Sequence, residues 1–262
     1  MHTDRRVETL SHGLVGRPEF TLDAIGRVAA GLNPADIEQH EADIPVLHAS
    51  GQVRRLRQSF WEIVTPDATT PWWIMLAGAL ADVAPYDALA TEVAAPWSNP
   101  TAQVEGGLGQ RFVTIFVSSP DSVVPHHIDY QHNVLVQLAG TKEVTIGTIP
   151  EPVVEQCVAS GVRNLLVPPL RTETFVLGPG DGLYIPPCTP HAVIGLDGIS
   201  ISFSSMWNTT WSETERMARY WNAWLRRHGI PPRSPSGGRI MDRAKASTAV
   251  RHGRKARRRV AT

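Results

Sequence analysis

From Arg111 onward the chain is a succession of short extended segments. RFVTIFV, NVLVQLA, KEVTIGTI, ETFVLG, GLYIPP, HAVIGL and GISISFSSMW are rich in Val, Ile, Phe and Thr, and Gly, Pro or Asp separates most of them. Strands this short with turn residues at this spacing predict an antiparallel sandwich or barrel. One stretch breaks the pattern: residues 150–160 (PEPVVEQCVAS) predict a helix inserted between strands.

The regions on either side have a different texture. Residues 20–32 predict a helix, with Thr21 as cap, Asp23 in the first turn and apolar residues at Leu22, Ile25, Val28 and Ala29. Residues 54–63 and 86–95 are further helix candidates, the second preceded by Pro85. After the last strand, residues 211–227 predict a helix capped by Thr210 or Ser212, with Arg226 and Arg227 in its last turn. Its stripe of Met217, Tyr220, Trp221 and Trp224 reads either as a dimer face or, more strongly, as a face packed on its own barrel. Beyond 228 the hydrophobic pattern stops in GIPPRSPSGG, which predicts a disordered tail.

The division expected is therefore a helical N-terminal region (1–100), a β-rich core with its C-terminal helix (101–228) and a basic tail (229–262). Formal net charge is zero, but it is not evenly spread. Residues 226–262 hold 12 of the 25 basic residues and one of the 25 acids, a net of +11, and residues 1–225 carry −11. The tail could contact nucleic acid only weakly and without specificity, since it has no aromatic residue to stack on bases. The acidic body would favour a cationic substrate. Two cysteines without a CxxC pairing, no apolar leader and no apolar run of ~20 residues point to a soluble cytoplasmic protein with no membrane partner.

The chemistry concentrates in residues 123–142, VVPHHIDYQHNVLVQLAGTK. His127 and Asp129 form an H-x-D, and on a strand residues i and i+2 point to the same side. His191 begins a late strand 64 residues on. Two imidazoles and one carboxylate on one face leave three octahedral positions open, the facial triad of non-haem Fe(II) oxygenases. His126 and His132, by contrast, read as non-ligands: adjacent strand residues face opposite sides, and His132 fits a surface histidine. A lone Lys142 beside an apolar strand is costly inside a barrel unless a carboxylate meets it.

With these motifs the sequence resembles the JmjC-type, cupin-like Fe(II)/2-oxoglutarate oxygenases over roughly residues 111–207. The resemblance implies a double-stranded β-helix (jelly-roll) core. It implies His127, Asp129 and His191 as iron ligands and Lys142, 13 residues after Asp129, as partner of the far carboxylate of 2-oxoglutarate. Asn133 matches the position of an Asn near the C1 carboxylate, and PGDGLYIPPCTPH matches the family's approach to its distal His. Val124 stands where family members often carry a hydroxyl, and the last strand offers Ser202 or Ser204 where they often supply Asn.

The function expected is hydroxylation of a protein, peptide or amino-acid-like substrate, with Fe(II) and 2-oxoglutarate as cofactors. Asp rather than Glu in the H-x-D disfavours demethylation. Dimerisation through C-terminal helices is common in the family. Two other readings compete: a non-catalytic cupin-like regulator whose tail binds nucleic acid, and a metal-dependent cupin enzyme without 2-oxoglutarate, which would have no reason to keep Lys142. Tyr130, Gln131 and Trp207 read equally as cleft wall or core, and Cys188 as a small buried residue.

Overall fold

The structure, a computed structural model, describes residues 5–48, 55–65, 69–235 and 239–260, the side chains of Ala79, Arg239 and 253–260 excepted. Eleven strands and six α-helices follow one another as β1 (Glu8–Ser11), α1 (Leu22–Gly31), β2 (Ile37–Glu41), α2 (Phe60–Ile63), β3 (Trp72–Leu76), α3 (Tyr86–Glu105), β4 (Leu108–Ser118), β5 (Val123–His127), β6 (His132–Ala139), β7 (Lys142–Thr148), α4 (Glu151–Ser160), β8 (Leu170–Leu177), β9 (Asp181–Ile185), β10 (His191–Gly195), β11 (Ser200–Thr209), α5 (Thr210–Arg227) and α6 (Arg239–Val260). The strands form a seven-stranded sheet, β1-β9-β6-β11-β4-β3-β2, and a four-stranded sheet, β5-β10-β7-β8. All pairings are antiparallel. The two antiparallel sheets are what the strand pattern predicted, and their arrangement is the double-stranded β-helix that the resemblance implied.

The large sheet is covered on both faces, which explains why β6 reads as an almost unbroken apolar run. Val134, Val136 and Leu138 face outward into the main core, with Ile115, Val117, Phe203 and Trp207 from neighbouring strands and Ile25, Phe20 and Tyr86 from the N-terminal layer. Leu135 faces inward to a second core with Val144, Ile146, Leu183 and Ile185. Each such buried apolar side chain contributes about 1.5–3 kcal/mol. The alternation in β11 divides its residues the same way. Ile201 and Phe203 enter the outer core, while Ser202 and Ser204 bond to the β6 side chains Gln137 and Asn133. The small, fully buried serines of the inner face thus spend their hydroxyls on β6 side chains.

Three expectations need correction. The first hundred residues are not purely helical: β1, β2 and β3 extend the large sheet at its two ends. They were hidden because β1 and β2 are short edge strands with little apolar alternation, and because β3 sits inside a run (Trp72–Leu76) readable as helix or strand. Within the helix expected at 54–63 only Phe60–Ile63 is helical, and residue 54 lies outside the described residues. Finally, 239–260 is not a patternless tail. It is helix α6, rich in the good helix formers Ala, Arg and Lys and packed against α5. His252 of α6 lies 5.8 and 5.6 Å from the rings of Trp221 and Trp224, which stack on each other at 4.6 Å. The aromatic stripe of α5 is thus covered by its own chain.

Candidate metal centre

His127 ends β5 and His191 begins β10, and the two are paired in register across the ladder. Their rings lie 4.1 Å apart. Asp129, just beyond β5, turns its Oδ2 toward both: 4.0 Å from His127 Nε2 and 3.8 Å from His191 Nε2. One ligand atom from each of the three residues lies within 4.8 Å of the others, and among the described residues this is the one cluster of at least three His, Cys, Asp or Glu with that property.

The tautomers are set by the backbone. His127 Nδ1 donates to Pro125 O at 2.8 Å and His191 Nδ1 donates to Thr189 O at 3.0 Å, so each Nε2 keeps its lone pair for an ion. Burial, then the neighbouring His127, pushes His191 down to about 4, which keeps its imidazole neutral near pH 7. Burial alone would raise Asp129, but His127, His191 and Arg163 outweigh it and keep the carboxylate ionised. Arg163 Nη1 donates to the other oxygen, Oδ1, at 3.0 Å. The donor set is two imidazoles and one carboxylate, which suits a divalent first-row metal.

Lys142 opens β7 opposite Gly195 of β10, while Ile146 stands opposite His191. Four ladder positions, about 13 Å, separate the two along the strand. The tight turn before it depends on Gly140, whose φ is +64° and where a Cβ would come within 2.8 Å of Ile199 O. The lysine is only 6% exposed, on the same side of β7 as Val144 and Ile146. Its Nζ lies 5.9 Å from the centroid of Phe116, whose cross-strand neighbour is Ser202. No carboxylate among the described residues meets it, and burial pushes it down to about 7. An anion beside this buried lysine would favour its charged form. Asn133, also buried, accepts a hydrogen bond on Oδ1 from Ser204 Oγ.

The other histidines separate cleanly. His126 is buried on the opposite side of β5 from His127, and its Nδ1 has no partner among the described residues. His132 is not the surface residue expected from sequence. It is fully buried on the outer face of the large sheet, bonded to Tyr184 Oη at 2.8 Å and Glu105 Oε2 at 3.2 Å and stacked on Trp207. That placement puts Trp207 in the outer core. Tyr130 packs against the cluster under α4 with its hydroxyl buried and pushed up to about 12 by burial. Cys188 is partly buried in the same cluster. Gln131 keeps a buried Oε1 without a partner among the described residues. Sequence reasoning missed Arg163: it lies 34 residues from Asp129, in a stretch without periodicity.

The family model for the JmjC domain matches residues 100–214. The match begins within α3, takes in β4 to β11 and ends in α5, so the matched segment carries all three clustered residues and Lys142. Among solved structures, YcfD from Escherichia coli, described as a ribosomal oxygenase, aligns with a TM-score of 0.50 at 16% identity over 94% of this chain and 62% of that one. A second YcfD structure, in complex with cobalt and 2-oxoglutarate, aligns with a TM-score of 0.46 at 16% identity over 94% and 63%. At this identity the likeness is one of fold, and the chain spans less than two thirds of the length of those structures. No curated protein matches the chain. No helix among the described residues is long and apolar enough to cross a membrane.

Proposed function

We propose that this chain is an Fe(II)- and 2-oxoglutarate-dependent oxygenase, a hydroxylase of a protein, peptide or amino-acid-like substrate. One observation carries the reading. The barrel holds two charge sets: a His–Asp–His cluster whose Nε2 and Oδ2 atoms converge without hydrogen-bonding one another, and a buried lysine that no carboxylate among the described residues meets. A metal ion completes the first and a dicarboxylate reaching from it completes the second. Iron, 2-oxoglutarate and dioxygen together would convert an unactivated C–H bond to an alcohol, with 2-oxoglutarate leaving as succinate and CO2.

In this reading His127, Asp129 and His191 hold the iron. The carbonyls of Pro125 and Thr189 fix the two imidazoles in the ligating tautomer. Lys142 binds the far carboxylate of the co-substrate. Asn133, oriented by Ser204, offers its amide to the near one. The apolar wall of Leu135, Val144, Ile146 and Ile185 excludes water from the lumen, which strengthens both charge contacts. The description of YcfD as a ribosomal oxygenase favours a protein or peptide side chain as substrate here.

Binding of 2-oxoglutarate to protein loaded with Mn(II), an oxygen-inert stand-in, tests this by calorimetry. The proposal expects binding that requires the metal and that weakens at least tenfold in Lys142→Met. A protein that takes metal but gives no heat with 2-oxoglutarate would instead be a cupin-like regulator or an enzyme of another class.

A further inference from the structure

Building on the iron reading, we propose that Arg163 is a positioning residue that holds Asp129 to a single donor oxygen and so keeps a third metal position open. Arg163 lies in the stretch joining α4 to β8, which runs antiparallel to the H-x-D segment. Leu165 N donates to His126 O at 2.7 Å, Ile128 N donates to Arg163 O at 3.2 Å, and Asn164 forms a bridge with His127. These two bonds bracket His127 and fix the Arg163 backbone beside Asp129. The guanidinium then lies over the ring of Tyr130, 5.3 Å from its centroid, and donates to Asp129 Oδ1 at 3.0 Å.

The two carboxylate oxygens therefore face different partners. Oδ2 turns to His127 and His191, and Oδ1 is taken by a cation. A carboxylate with both oxygens free can chelate a metal through both. Two imidazoles and a chelating carboxylate would fill four of six octahedral positions. Only two would remain, which a 2-oxoacid would occupy by itself, leaving none for dioxygen. With Oδ1 engaged by Arg163, three positions stay open. Burial contributes as well: the Asp129 side chain is 15% exposed, so little water competes for Oδ1. Arg163 is 48% exposed at its side chain, so its truncation opens no sealed apolar cavity.

The test is a Co(II) titration of the full chain followed by visible absorption, with and without 2-oxoglutarate, for wild type, Arg163→Ala and Arg163→Lys. The inference expects about tenfold weaker Co(II) binding in Arg163→Ala. It also expects a changed ligand-field spectrum and a smaller spectral response to 2-oxoglutarate, with Arg163→Lys restoring most of each. The thermal midpoint of each variant shows whether it is folded, and a role in folding alone would not alter the spectrum of the folded fraction. An Arg163→Ala protein that folds and reproduces the wild-type affinity and spectrum overturns the inference. A wild-type protein that binds no Co(II) overturns the iron reading, and this inference with it.

Discussion

The barrel lumen and the outer face of the large sheet both bury charge, and they handle it in opposite ways. On the outer face, Glu105 accepts from Arg5 Nε at 2.9 Å, from His132 and from Thr209, and Arg5 reaches on to Glu215 at 2.6 Å. Arg219 continues the chain, bonding Glu151 at 2.7 Å and lying 3.6 Å from Glu215. Apart from Arg5 Nη2, the polar groups of this network have partners within the chain. In the lumen, the Nε2 atoms of His127 and His191 stand 4.0 and 3.8 Å from Asp129 Oδ2, beyond hydrogen-bond reach, and Lys142 meets no carboxylate among the described residues. A network that closes on itself serves architecture, tying the N-terminal segment, α3, α4 and α5 to the sheet. One left open is built for something that binds.

That contrast is breakable at several points. The largest effect is expected on the closed side. Glu105→Ala leaves Arg5 with Glu215 as its remaining anion and takes a buried acceptor from His132 and Thr209, and should lose about 3 kcal/mol of stability in urea denaturation. Metal affinity of the folded protein should stay unchanged. The pH dependence has a definite sign. Burial would raise the Glu105 carboxyl, but hydrogen bonds from His132 and Arg5 outweigh it and hold it well below the usual range. Its stabilisation is full above the ordinary carboxylate pKa and is lost as pH falls toward the depressed native value. The acid limb of the stability profile, below about pH 5, should therefore flatten in the variant.

On the open side, His127→Ala or His191→Ala should weaken Fe(II) binding more than about 100-fold in an anaerobic titration, exceeding the effect of an outer partner of a ligand. Lys142→Met should do the reverse of Glu105→Ala, raising the thermal midpoint of the ligand-free protein by about 5 °C. Burial holds Lys142 near 7 in the folded chain, against 10.5 ordinarily. The unfolded chain thus keeps a proton that the native one gives up, and stability should rise from pH 7 to 10 in wild type but not in the variant. For the same reason 2-oxoglutarate affinity should fall as pH rises above 7. The smallest effect is expected at His126→Ala, with metal affinity within about twofold of wild type, because that ring lies on the other side of β5.

How much of this was legible in the sequence depends on which physical signal each part leaves. Strand alternation and turn residues leave a local trace, so the β-rich core and the helices α1, α4 and α5 could be read directly. His127 and Asp129 were legible as an H-x-D and His191 by its place in the order of motifs, but Asp129 lies just beyond β5, so the backbone after the strand and not strand period brings its carboxylate to the two imidazoles. Edge strands such as Glu8–Ser11 and Ile37–Glu41 leave almost none, since their pairing is supplied by the neighbouring strand. His132 was misjudged for a related reason. Alternation correctly places it opposite Asn133, but the assumption that the opposite face meets water fails under the layer formed by α3, α5 and the N-terminus. Arg163 and Arg5 act over separations of 34 and 100 residues, and only the fold brings them to their carboxylates.

The most direct test of the open site is an anaerobic titration of Fe(II)-loaded protein with 2-oxoglutarate, watched for a metal-to-ligand charge-transfer band. The account predicts a saturable visible band in wild type and at most a trace at the same co-substrate concentration in Lys142→Met. Full iron loading without any band would contradict it.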